Sequence, residues 1–229
     1  LMKPLGNSFL LSLVVSLAAM LPVGYLIERF VIRRLYGESL DYAIIATYGV
    51  LLIGTDLIKL IWGTTPYPVS DPVGMSVALA GMDLPVYRIL IVVSAVVLYL
   101  ALRLFFKRSI IGRVVTAALE DSDGVRCLGL DVNRYFSIVF VIGSALAVLG
   151  GILYAPISTA EPYMGFHILL LAFAVVIVGG MGSMNGTFVA AMVLGMVMAV
   201  TGRFWSQASN AVVFFVMALV IIFRPMEVE

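Results

Sequence analysis

The chain has one cysteine, Cys127, and one histidine, His167. A lone thiol closes no internal disulfide, and neither residue has partners at a metal-ligand spacing, so redox and zinc roles are set aside. His167 reads as a loop or interfacial residue. Charge is also scarce: 12% of the 229 residues are Asp, Glu, Lys or Arg, and the formal net charge is +1. Nucleic acid normally demands a dense basic patch, which this composition does not supply. No P-loop Lys-Ser/Thr follows a strand, which argues against phosphate cradling. No metal and no cofactor are expected. The beginning lacks the basic n-region and small-residue cleavage site of a signal peptide, starts at Leu1 and enters an apolar run by about Phe9, so it is expected to be a truncation.

What is abundant is apolar surface. Hydrophobic residues make up 62% of the chain, and its mean hydropathy is +1.14, more than one soluble core could hide. Crossing a hydrocarbon core of roughly 30 Å takes about 20 apolar residues in a helix, because lipid satisfies no loose backbone group. About seven stretches qualify or nearly so: 7–27, 40–62, 86–106, 135–155, 167–181, 185–202 and 209–223. They are apolar all round, whereas core helices of a soluble protein would show amphipathic stripes. The expected fold is therefore all-α and polytopic, with residues 1–229 forming one transmembrane domain.

Basic residues are retained on the cytoplasmic side. With the first span ending inside, Arg29, Arg33, Arg34, Arg103, Lys107, Arg108, Arg113, Arg126, Arg134 and Arg224 are inner, against Lys3, Lys59, Arg88 and Arg203 at the outside or its boundary. The N-terminus of this sequence is then outside and "FRPMEVE" inside. The outer segment 63–85 carries four prolines and is expected to be an irregular cap.

Three local patterns stand out. The stretch "VVIVGGMGSMNGTFVAAMV" places Gly179, Gly180, Gly182 and Gly186 between two apolar runs. Glycine supplies positive φ and lets backbones approach, so a tight inner turn with closely packed helix ends is expected. In "GTDLIKLIW", Asp56 and Lys59 stand three apart on one helix face, read as an ion pair near the outer end of the second span, with a substrate or proton site as the alternative. No other span is expected to hold an acid in its middle, which argues against a proton- or sodium-driven carrier. Intramembrane proteolysis is disfavoured too. Ser137 and Ser144 are available, but the histidine lies on an outer loop and no aspartate pair occurs within spans.

The third pattern is the inner loop 107–134. Residues 113–121 suit a short helix, Asp121 or Ser122 can cap a second, and Gly129 marks its end. Val114, Val115, Ala118, Leu119, Val125 and Leu128 would form the apolar sides of this helix-turn-helix, with Glu120, Asp121 and Asp123 facing water or a partner. DNA binding is a poor reading, since acids offset most bases and the membrane leaves little surface to follow a groove. A loop packing only on its own membrane helices remains an alternative.

Four segments in order, "ERFVIRRL", "SIIGRVVTAALEDSDGVRCLGLDVNR", "GSALAVLGGILYAPIS" with "YMGF", and "AVVIVGGMGSMNGTFVAAMVLGMVMA" running into "IIFRP", cover nearly the whole chain. With them the sequence resembles the permease subunits of branched-chain amino acid ABC importers, of the H-type lineage. The resemblance implies that the inner loop docks on an ATPase subunit, with Ala117, Ala118, Leu119, Glu120, Asp121, Gly124, Arg126, Leu128, Gly129 and Leu130 in the coupling segment. The chain departs from the family pattern at Thr116, where Arg is usual, and at Gly124-Val125, where Ala-Ala is usual; a helical glycine costs about 1 kcal/mol, which implies a looser docking element. Relatives usually carry two further membrane helices ahead of the first one here. The implied partners are two cytoplasmic ABC ATPase subunits, a second and paralogous permease subunit, an extracytoplasmic solute-binding protein and membrane lipid. The implied setting is a prokaryotic inner membrane. The chain itself is expected to catalyse nothing. Branched-chain amino acids are the default cargo, urea or short amides the alternatives within the family, and an ion-coupled carrier or channel without an ATPase the competing class, ahead of a structural subunit with no transport path.

Overall fold

The computed structural model describes residues 9–38, 40–69, 71–79, 82–180, 182–205 and 208–223, so Lys3, Met181 and Arg224 lie outside the described residues. Contacts divide the chain into two compact units, one through Pro162 and one from Tyr163.

The first unit runs α1 (Phe9–Phe30), a 3-10 turn (Ile32–Leu35), α2 (Leu40–Trp62), β1 (Ser76–Leu79), β2 (Met82–Pro85), α3 (Val86–Arg108), α4 (Ile110–Glu120), α5 (Ser122–Cys127) and α6 (Val132–Tyr154). Its main packing is α1 along α6. At their contact a Cβ on Gly24 would lie 2.9 Å from Ser144 Cβ, so the α1 backbone itself rests on α6. Near the other end of α6 the buried Tyr87, in the first turn of α3, donates its hydroxyl to Leu153 O at 2.8 Å. Tyr67 and Ala160 exchange backbone hydrogen bonds of 2.9 and 3.0 Å, joining the segment after α2 to the one after α6.

The second unit holds α7 (Met164–Gly179), α8 (Met184–Phe204) and α9 (Ser209–Phe223). Each helix contributes one buried residue to a common core: Ala174, Leu194 and Val213.

The protein is an all-α polytopic membrane protein. By length and composition, α1, α2, α3, α6 and α8 can each cross a membrane, whereas α7 and α9 are shorter apolar helices. At about 1.5 Å per residue, the 16 residues of α7 rise roughly 24 Å, short of the hydrocarbon thickness unless the bilayer thins around it. Along α2 and α3 the apolar side chains are mostly exposed, as lipid- or partner-facing helices require.

One expectation needs correction. The segment before α3 is not irregular throughout: β1 and β2 pair antiparallel, from Ser76 opposite Pro85 to Leu79 opposite Met82. Three of the prolines that suggested an irregular cap, Pro66, Pro68 and Pro72, precede the hairpin, and Pro85 closes its last pair, where a missing N–H is tolerated.

Candidate functional site

The connection between α3 and α6 is a helical hairpin whose every turn has an identifiable cause. Ser109 is the only residue between α3 and α4, and its Oγ accepts from the Gly112 N–H at 3.0 Å, capping α4. A Cβ on Gly112 would fall 2.1 Å from Phe106 O, so α4 folds back directly on the last turn of α3. Asp121, rather than Ser122, caps α5: its Oδ1 accepts from the Gly124 N–H at 2.9 Å. The glycine there has a local reason, because a Cβ on it would lie 2.4 Å from the Asp121 carboxylate oxygen Oδ2. After α5 the chain reverses at Gly129, with φ +79° and its N–H donating to Arg126 O at 2.9 Å. Asp131 then caps α6 by accepting from the Arg134 N–H at 3.3 Å.

The hairpin has two apolar faces rather than one. Ala118 and Val125 are buried in a cluster with Val132, the first residue of α6, and Val114, Leu130 and Phe136 close around them. Val115 is buried as well. Leu119 and Leu128 lie outside that cluster, 69% and 78% exposed. Ala117 and Glu120 are exposed beside them, and Arg126 lies 3.9 Å from Asp123. Of the residues expected on the apolar sides, the structure thus gives Val114, Val115, Ala118 and Val125 to the protein interior and leaves Leu119 and Leu128 outside.

In the second unit the glycine stretch forms the α7–α8 connection, and its members do different work. A Cβ on Gly179 would lie 2.5 Å from Thr187 Cα and N, and one on Gly186 would lie 2.0 Å from Gly179 O, so two backbones meet there with no room for a side chain. Gly180 and Gly182 meet nothing within 4 Å but hold φ +88° and +83°. Ser183 caps α8, its Oγ accepting from the Gly186 N–H at 3.1 Å.

On α2, Lys59 Nζ donates to Asp56 Oδ1 at 2.9 Å. Replacing either residue by its opposite charge is expected to lower stability by about 1 kcal/mol, and Asp56→Lys combined with Lys59→Asp to recover most of the loss. Melting of the four proteins in one detergent checks this.

Sequence reasoning missed Glu28, which it assigned to the polar segment after the first span. The residue lies inside α1 and is 1% exposed. Its Oε1 accepts from the Ser137 hydroxyl of α6, and the Tyr36 hydroxyl is 3.4 Å away. Burial and the adjacent Glu28 charge push the Tyr36 phenol up to about 12, so at neutral pH it stays protonated and able to donate. Tyr36 also sits edge-on against Phe136, with ring centroids 5.6 Å apart, and Phe136 packs on the hairpin cluster. Spacing could not reveal this, because the Glu28–Ser137 contact spans 109 residues. The only available signal was an acid directly after an apolar run.

Glu28 lines a pocket of about 450 Å³ between α1, the 3-10 turn and the first turns of α6. Tyr25 and Arg33 complete its wall on the first side; Asp131, Arg134 and Ser137, followed by Ile138, Val141 and Ile142, form the other. Among the described residues, no group of His, Cys, Asp and Glu could hold a metal ion.

The membrane-length helices and the capped hairpin between α3 and α6 can be set beside known proteins. Residues 2–223 match the family described as branched-chain amino acid transport system, permease component. The chain belongs to that family. The permease is 30% identical over 210 residues to the high-affinity branched-chain amino acid transport system permease protein BraD of Pseudomonas aeruginosa, covering 88% of this chain and 68% of the relative. It is 26% identical over 206 residues to LivH, the corresponding permease protein of Escherichia coli, covering 87% of this chain and 67% of that one. A more distant likeness, 30% over 122 residues, joins it to the ribose import permease protein RbsC of Haemophilus influenzae, covering 50% of this chain and 36% of the other. No solved structure matches the permease significantly.

Proposed function

We propose that this permease is the membrane-spanning subunit of an ABC importer carrying branched-chain or related amino acids across a prokaryotic inner membrane. Both units form one permease domain, with the sequence starting outside and ending in the cytoplasm. Two cytoplasmic ABC ATPase subunits bind and hydrolyse ATP, a second permease subunit completes the path, and an extracytoplasmic binding protein delivers cargo. The chain makes and breaks no covalent bond.

The observation that carries this reading is the hairpin with one face inside the protein and another left open. Val132 belongs both to α6 and to the cluster that holds Ala118 and Val125. A force on the hairpin therefore reaches the first turn of α6, and through α6 the packed helix α1. Rigid capping at Ser109, Asp121 and Asp131 keeps the hairpin from yielding instead. Leu119 and Leu128 supply apolar surface of the kind that an ATPase cleft would cover. Family membership supports the cargo class.

The test is uptake of labelled leucine into proteoliposomes holding the permease with its co-expressed partner subunits and binding protein. Removing ATP while keeping a proton or sodium gradient is expected to abolish uptake. Persistent uptake would establish an ion-coupled carrier instead, and competition by urea or acetamide but not by valine would reassign the cargo.

A further inference from the structure

The pocket beside Glu28 has a charge pattern that its neighbours do not resolve. Two acids, Glu28 and Asp131, and two bases, Arg33 and Arg134, line it together. Among the described residues no ion pair within 4.0 Å joins any two of them. Glu28 is held by hydroxyls and Asp131 by the backbone of α6, and among the described residues neither guanidinium group lies within 4.0 Å of a carboxylate. Glu28 is the buried member, while Arg33, Asp131 and Arg134 are exposed at the pocket's rim, so both signs of charge are open to a ligand entering it. Their formal sum is zero, so a net cation or anion would leave one sign over, whereas a zwitterion sets an ammonium against the acids and a carboxylate against the bases. Arginine's planar fork suits a carboxylate. The remaining wall, Ile138, Val141 and Ile142, is aliphatic and β-branched. The volume lies within the roughly 300–1,000 Å³ of small-molecule sites.

The geometry points to an amino-acid binding site in this pocket, specific for a free zwitterion with an aliphatic side chain. It rests on the proposed cargo class and extends it to a place in the chain. With the topology proposed above, the site lies at the cytoplasmic end of α1 and α6, where cargo would be held last before release. The fixed position of Glu28 follows from Ser137 and Tyr36, which orient its carboxylate, so the ammonium meets a preset acceptor.

The test uses the assembled transporter in nanodiscs of phosphatidylcholine and phosphatidylglycerol, without binding protein, and measures displacement of labelled L-leucine. Leucine is expected to bind saturably, and 4-methylpentanoate, which lacks the amine, and isopentylamine, which lacks the carboxylate, to bind roughly ten- to a hundredfold more weakly, as the loss of one charge-assisted hydrogen bond requires. Glu28→Gln should weaken leucine by a similar factor yet leave 4-methylpentanoate unchanged; Arg134→Gln should weaken both leucine and 4-methylpentanoate and spare isopentylamine. Ile142→Trp, which fills the aliphatic part, should abolish leucine binding. A merely structural role would make Glu28→Gln and Arg134→Gln lose all three ligands alike. Equal losses, or no saturable leucine binding in a transporter that still takes up leucine with ATP, would each overturn the site. Absence of ATP-driven leucine uptake in the parent protein would count against the transport function itself.

Discussion

Gly179→Ala is expected to cost about 3 kcal/mol or more, among the largest stability losses that a single added methyl can cause in this chain. The new Cβ would stand 2.5 Å from the backbone of Thr187, and no rotamer change can clear a backbone atom. Either α7 and α8 separate at their joined ends or the first turn of α8 unwinds. Both disturb the core that Ala174, Leu194 and Val213 share. Gly186→Ala meets Gly179 O and should be as severe. Gly182→Ala tests a different cause: space is open there, but φ is +83°, so only left-handed strain of roughly 1–2 kcal/mol applies. Gly195→Ala, inside α8 with nothing within 4 Å, should cost nothing. Melting in detergent of the four variants should therefore rank Gly179 and Gly186 well below Gly182, and Gly182 below Gly195. Equal melting of Gly179→Ala and Gly195→Ala would show that the two backbones do not meet.

That ranking marks how far the sequence could be read. Four glycines between apolar runs announce a close turn, because no other residue type combines positive φ with backbone contact. Which glycine serves which purpose depends on where the α8 backbone passes, and only coordinates decide that. The sequence reading assigned positive φ and close backbone approach to the four glycines together, without dividing them. The structure gives packing to Gly179 and Gly186 and conformation to Gly180 and Gly182.

The helices themselves were legible for a plain physical reason: a chain in lipid must close its backbone hydrogen bonds locally, so long apolar runs have one structural outcome. Expected and observed limits agree closely for α2, 40–62 against Leu40–Trp62, where the apolar run has sharp edges. They differ for α1, which continues through Glu28 and Arg29 to Phe30, because hydropathy ends a span at the first charge while the helix does not. That difference hid Glu28. Likewise the β1–β2 hairpin was obscured by nearby prolines, since composition reports a region and pairing depends on register. The hairpin caps fared better, as Asp121 and Gly129 act through neighbours within three residues. What the sequence could not divide was the apolar surface of the hairpin, because burial against Val132 and Phe136 requires knowing where α6 runs.

That division yields the second large effect. If Leu119 and Leu128 form the face on which an ATPase docks, replacing both by aspartate removes two buried side chains of about 1.5–3 kcal/mol each. At about 1.4 kcal/mol per decade, the permease–ATPase affinity should fall by a factor of roughly a hundred to ten thousand. Co-purification would be lost while membrane insertion and melting stay near the parent values, because neither side chain supports the fold. Val125→Asp is the opposite case: buried against Ala118 and Val132, it should damage the hairpin itself and lower melting as well as binding. Glu120→Lys, which reverses one exposed charge beside Leu119, should weaken assembly by a smaller factor and leave melting unchanged. Gly129→Pro combines both failures, since proline cannot adopt φ +79° and removes the N–H that bonds Arg126 O. A doubly substituted Leu119→Asp, Leu128→Asp permease that still captures its ATPase at parental affinity would place the docking surface elsewhere, and the lever connecting the hairpin to α6 and α1 would lose its source of force.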